Sequence, residues 1–233
     1  MNLEDLIASF RVDSDDQARS VGGGQDDLLW PDTDVARWFG EAEEEAALRK
    51  RLLFDDYTLA IVRIDVLEAQ SSYPLDPRMF EVSKARLLDA TTGEFVEDLY
   101  ITTREALDQR CPHWRDERRQ PGFFVQDDTR IVLPGIVDRA YTLRLEGYRT
   151  PLVPIVADSD PATTVPEIGV IHHRFLVHWV LHRAYGKQDA DTFDPARSQR
   201  ALNAFEQYFG LRPDADLRKD QQANQAHHNV AYW

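Results

Sequence analysis

Residues 170–186 read VIHHRFLVHWVLHRAYG and carry four of the chain's seven histidines in one apolar run. Placed on a wheel at about 100° per residue, the segment has helical period. Ile168, Ile171, Phe175 and Trp179 fall on one side. Val170, Val177, Val180, Leu181 and Ala184 fall roughly opposite, with Arg174 and Arg183 between them. A surface helix has one apolar stripe, and a helix with two has to be covered twice. The spacing therefore predicts a helix from Glu167 to Tyr185, closed by Gly186, with one face on the helices of its own chain and the other on the β module or another subunit. Phe175, Val177, Trp179 and Val180 are the expected contact residues.

His178 and His182 stand four apart on that helix, beside the Phe175 stripe. Two imidazoles do not hold a catalytic zinc, which takes three protein ligands and an open position. The zincin helix needs Glu directly after its first His, and Trp179 occupies that position. Neutral histidines at a partly buried helix contact, hydrogen-bonded through one ring nitrogen, are the expected reading. Other constellations also fall short of chemistry. Cys111 and His113 share a loop without a third orienting group or an oxyanion hole. No serine sits in a G-x-S-x-G elbow and no glycine-rich phosphate loop is present. No catalytic residue, cofactor or metal is expected. The residues leave one alternative open: a metal-dependent hydrolase or a regulatory binding module with His178 and His182 in its pocket.

Working outward, the next helical segment is LLWPDTDVARWFGEAEEEAALRKRLL, residues 28–53. Val35, Trp38, Phe39, Ala42, Ala46 and Leu53 make its stripe, Asp32 or Thr33 is the expected cap, and Glu41, Glu43 and Glu44 are expected to face away. Asn2 to Phe10 forms a short helix, and Gly22 to Gly24 mark a loop after it. Asp194 followed by Pro195 opens a last helix with Leu202, Phe205 and Phe209 as its stripe, and Gly210 stops it.

Between these ends the period changes. Leu59 to Val66 alternates and is rich in β-branched residues, which predicts a strand. Residues 84–103 form a hairpin with Thr92 and Gly93 at its tip, and Thr103 caps a brief helix. Residues 123–151 supply further strands. The expected fold class is α+β: a helical bundle from the N- and C-terminal segments with an inserted antiparallel β module. The expected parts are residues 1–56, helical; 57–163, the β module; 164–211, helical and packed with the first part; and 212–233, an extended C-terminal arm. Tyr232 and Trp233 end that polar arm and are its natural anchors on a partner, because aromatic side chains dominate binding hot spots.

Composition narrows the partners. The chain has 233 residues, 41 acidic against 27 basic, and a net charge of −14. Phosphate-backbone binding needs clustered Lys and Arg, so nucleic acid and anionic membranes are unexpected binding partners. The single cysteine excludes an internal disulfide and fits a reducing compartment. No apolar run approaches the roughly 20 residues of a membrane span, and the N-terminal segment has no signal-peptide pattern. A soluble protein that stays where it is made is expected.

Several stretches, in order, carry a resemblance: LWPDTDVARWFGEAEEEAALRKRLLFDD (29–56), SSYPLDPRMFEVSKARLL (71–88), HWRDERRQPGFFVQDD (113–128), RAYTLRLEGYRTP (139–151) and residues 165–210 from VPEIGV to YFG. Together they resemble the head-to-tail adaptor proteins of tailed bacteriophages. The resemblance implies a structural virion protein of the neck, assembled in the bacterial host cytoplasm. It implies a homo-oligomeric ring, a dodecamer, beneath the portal protein, on which tail or nozzle proteins assemble. Genomic DNA would pass through its channel without sequence-specific binding. A ring joins two different surfaces of each subunit, which agrees with a helix that needs cover on both sides.

Overall fold

The helix at residues 170–186 organises one half of the molecule. In the structure, a computed structural model that describes residues 1–16, 28–188 and 192–213, six helices and ten short strands divide into two units. One unit is Met1–Leu53 with Thr150–Arg212, and the other contains Phe54–Arg149.

The first unit holds the four long helices: α1 (Leu3–Ser14), α2 (Asp32–Lys50), α5 (Val170–Gly186) and α6 (Pro195–Phe209). Their shared core is aromatic and aliphatic. Phe10, Trp30, Phe39, Leu176, Val180, Phe205 and Phe209 are each at most 1% exposed. Local chemistry sets the ends. Asn2 caps α1 by accepting from the Asp5 N–H, while Asp5 accepts from the Asn2 N–H, a reciprocal capping box. Asp194 caps α6 and Pro195 takes its first position, as the sequence predicts. At α2 the cap differs from expectation. Pro31 is the N-cap residue, and its fixed φ starts the helix without a side-chain bond from Asp32 or Thr33.

Arg11 joins α1 to α2. It is 8% exposed and its guanidinium bonds Asp16, the Trp30 carbonyl at 2.6 Å and Asp32 at 2.6 Å. Asp16 in turn accepts from the Leu29 N–H at 2.8 Å. The stretch from Thr150, read in the sequence with the β module, contributes Ile155 to the helical core. It runs so close to α2 that a side chain at Gly40 would collide with the Ile155 carbonyl oxygen.

The second unit is a curled sheet, mostly antiparallel. β1 (Phe54–Asp55) and β2 (Arg63–Val66) pair with β10 (Tyr141–Arg149). β10 pairs with β4 (Met79–Asp89), which forms the hairpin with β5 (Phe95–Ile101). Gly93 takes φ +71° at its tip, a value that glycine adopts without strain. The path continues through β7 (Phe123–Gln126) and β8 (Arg130–Val132) to β3 (Ser72–Pro74). Two joins are parallel: β5 with β7, and β6 (Arg118–Arg119) with β9 (Ile136–Val137). The helix α4 (Arg104–Arg110), capped by Thr103 as predicted, lies between β5 and β7 in the chain. That crossover is what permits a parallel partner, which a tight turn cannot provide. Period 2 is clean along β10: Tyr141, Leu143 and Leu145 are buried, and Thr142, Arg144 and Glu146 are on the other face.

One expected strand is half helix. Leu59–Val62 forms α3, and only Arg63–Val66 is extended. Asp55 causes the turn. Its Oδ1 accepts from the N–H groups of Tyr57 (3.1 Å) and Thr58 (2.8 Å), which starts a helical turn despite the β-branched residues beyond. Its Oδ2 takes the Arg149 guanidinium at 2.6 Å, with both side chains at most 3% exposed. Burial alone would raise the Asp55 carboxyl, but the bonds from Thr58, Arg149 and Tyr57 outweigh it and hold it below the ordinary aspartate range. Asp55→Ala leaves Arg149 charged and buried without this partner. The expected cost is about 3–5 kcal/mol, read as a lower urea midpoint at unchanged slope.

Candidate functional site

Each candidate side chain on α5 has an address in the structure. Val177 and Val180 are 1% and 0% exposed, inside the chain's own helical core. Leu176 lies beside them, fully buried. Phe175 stacks on Tyr208 of α6 with ring centroids 3.5 Å apart and planes within 6°. Trp179 tilts against Phe205 at 5.1 Å. Arg49 and Lys50, from the end of α2, lie over these rings: the Arg49 guanidinium is 5.5 Å from Trp179 and the Lys50 ammonium 4.1 Å from Tyr208. Both stripes are therefore largely covered from within. What remains outside is the first turn, where Val170 and Ile171 are 63% and 73% exposed. Tyr232 and Trp233 lie outside the described residues.

The histidines are separated by their surroundings. His182 has its Nδ1 2.9 Å from the Ser198 hydroxyl, and that hydroxyl donates to the His182 carbonyl. It lines a groove of about 400 Å³ with Trp38, Glu41, Arg183 and Lys187. His178 lines a different cavity, with Asp13, Tyr185, Arg197 and Arg200. Burial pulls both imidazoles below the ordinary histidine range, so both are neutral near pH 7. Among the described residues, no group of three or more His, Cys, Asp or Glu side chains is arranged to hold a metal. Cys111 is a free thiol packed against Leu107, Trp114 and Val125.

His173 is buried, 2% exposed. Its ring nitrogens face the carbonyl oxygens of Met1 (3.1 Å) and Ile168 (2.8 Å), which fastens the start of α5 to the segment before α1. His172 reaches the Tyr208 hydroxyl at 3.0 Å.

Glu43 overturns its sequence reading. It does not face solvent with Glu41 and Glu44 but is 1% exposed. The reason is periodicity. Phe39, Glu43 and Ala47 are spaced by four on the face of α2 that meets the core, and both neighbours are fully buried. One carboxylate oxygen accepts from the N–H groups of Glu167 and Ile168, so a side chain of α2 holds the chain just before α5. The Glu167 carboxylate accepts from the Leu152 N–H at 2.7 Å. Burial pushes the Glu43 carboxyl up to about 7, against the lowering effect of the two backbone bonds.

The chain belongs to the SU10 adaptor protein family, whose model matches residues 1–230. It is thus a phage structural adaptor, a virion component, in line with the resemblance read from its sequence. No curated protein matches it. Among the described residues no helix is long and apolar enough to cross a membrane.

Glu43 gives the helical unit a defined pH response. Its proton is held more tightly folded than unfolded, so its share of stability is complete below about pH 4.5 and is lost as pH rises through about 7. The size is on the order of 3 kcal/mol. Glu43→Gln keeps an oxygen for the two N–H groups and removes the charge. Denaturation from pH 4.5 to 8 should show the decline in the parent chain and not in the variant, and equal slopes would contradict it.

Proposed function

We propose that the protein is a head-to-tail adaptor that forms a ring, a dodecamer, beneath the portal and joins the DNA-filled capsid to the tail. The carrying observation is the family match along residues 1–230. In this reading the long helices act as one bundle, built from residues 1–56 and 164–211, that carries contacts between copies, and the inserted β module (57–163) offers a second surface to neighbours or to tail and nozzle proteins. Phe175 and Trp179, partly uncovered at the α5–α6 seam, contribute to the contact. Val177 and Val180 support it from inside.

The net charge of −14 suits a passage through which DNA slides. Each exposed cation in the bore would add affinity by counterion release, so the residues facing DNA are acidic or neutral. The arm at 212–233 docks on the portal through Tyr232 and Trp233. Assembly takes place in the host cytoplasm, and the finished ring stays in the virion neck.

Imaging of the neck of the assembled particle tests the reading. A closed ring of this chain between portal and tail is the expected result, and its absence from the neck would refute it. Deleting Ala226 to Trp233 should weaken attachment to portal while the unfolding midpoint stays unchanged. Portal binding equal to that of the full chain would remove the arm from the account.

A further inference from the structure

The polar face of the sheet carries an arrangement that the isolated chain does not explain. In the register of β2, β10 and β4, Arg63 lies opposite Arg144 and Arg144 lies opposite Arg86. Directly opposed residues of antiparallel strands share a face with Cβ atoms about 5 Å apart, and like charges so placed repel. Three guanidiniums thus form one row across three strands. The outer two are compensated: Arg63 by Asp65 at 2.9 Å, and Arg86 by Glu146 at 3.2 Å and Asp98 at 3.7 Å. Lys84 also bonds Asp98, at 3.0 Å. Among the described residues the side chain of Arg144, at the centre, has no ion pair or hydrogen bond. In a chain with 14 more acidic than basic side chains, a free guanidinium between two others calls for an external carboxylate.

The complementary surface exists on the same chain. Glu41, Glu44 and Glu45 of α2, with Leu48, Trp179, Arg183 and Arg212, line a groove of about 360 Å³. Glu41 is paired with Arg183 at 2.9 Å, and Glu45 with Arg49 at 3.0 Å. Glu44 is exposed and has no ion pair among the described residues. We propose that the Arg63–Arg144–Arg86 row of one copy docks on the acidic α2 groove of a second copy, with Arg144 meeting Glu44. The inference rests on the ring reading and gives it its two unlike surfaces, as a head-to-tail contact requires. A guanidinium takes a carboxylate through two parallel bonds, which fixes orientation as well as charge. Duplex DNA fits the row less well, because Asp65, Asp98 and Glu146 stand among the cations and would meet the phosphates. A protein surface presents one carboxylate at one place.

The test uses assembled particles and the full chain with Cys111→Ala. Glu44→Cys with Arg144→Cys should give, on mild oxidation, a ladder of linked copies longer than a dimer, and neither single cysteine should give one. Arg144→Glu should lose ring assembly, and adding Glu44→Arg should restore it. The Arg144→Glu chain alone should unfold at or above the parent midpoint, since the substitution relieves repulsion within the row, and this separates lost docking from lost folding. A ring visible in the neck without the ladder overturns the pairing and leaves the ring standing. So does a charge reversal that Glu44→Arg fails to rescue, the result expected if the row faced DNA. A neck with no ring overturns the ring reading and the pairing with it.

Discussion

A single buried carboxylate ties the helical unit together. Glu43 of α2 accepts two backbone N–H groups immediately ahead of α5, those of Glu167 and Ile168. Once they are held, α5 can lay Leu176, Val177 and Val180 into the common core, and α6 can fold back with Tyr208 and Phe205 over the remaining rings. The Gly40 contact with the Ile155 backbone fixes the same strap one turn earlier on α2. A bond inside the protein thus decides the position of a helix whose composition alone would allow it to turn either apolar face inward.

Much of this was legible in the sequence, because local signals and tertiary demands coincide there. Asp194-Pro195, Thr103 and Gly93 each have one conformation that their chemistry favours, and each adopts it. The stripe of α2 followed from spacing in the same way. The reading failed where a residue's type and its place disagreed. Glu43 was grouped with its acidic neighbours by charge, although its distance from Phe39 put it on the buried side. Leu59–Val62 has strand composition, yet Asp55 turns the chain there with two side-chain bonds. The wheel of α5 leaves its second face to the β module or another subunit, because a wheel records direction and not the reach of α6, whose Tyr208 and Phe205 rings lie against Phe175 and Trp179. The charge row on the sheet was out of range altogether, since Arg63, Arg86 and Arg144 become neighbours only through strand register.

The two units divide the work differently. The helical unit uses aromatic packing, with cations from α2 laid over the rings. Among the described residues, half of its exposed large apolar side chains lie between Val153 and Ile171, where Val153 is 83% exposed and Ile171 73%. Along β10 and β4 the sheet buries Leu143, Leu145, Ala85 and Leu87, and it carries ion pairs among Lys84, Arg86, Asp98 and Glu146. Surface pairs of this kind contribute little to stability. Their arrangement matters more for which partner is accepted, because charges across an interface set register and discriminate against wrong partners.

The Arg11 clasp has a consequence for how this chain tolerates change. By bonding Asp16 on one side and Trp30 and Asp32 on the other, it pins both ends of the glycine-bearing connection between α1 and α2. Losing Arg11 would take one cation from two carboxylates and a buried carbonyl at once, so a neutral residue in its place leaves Asp16 and Asp32 to repel each other across the join between α1 and α2.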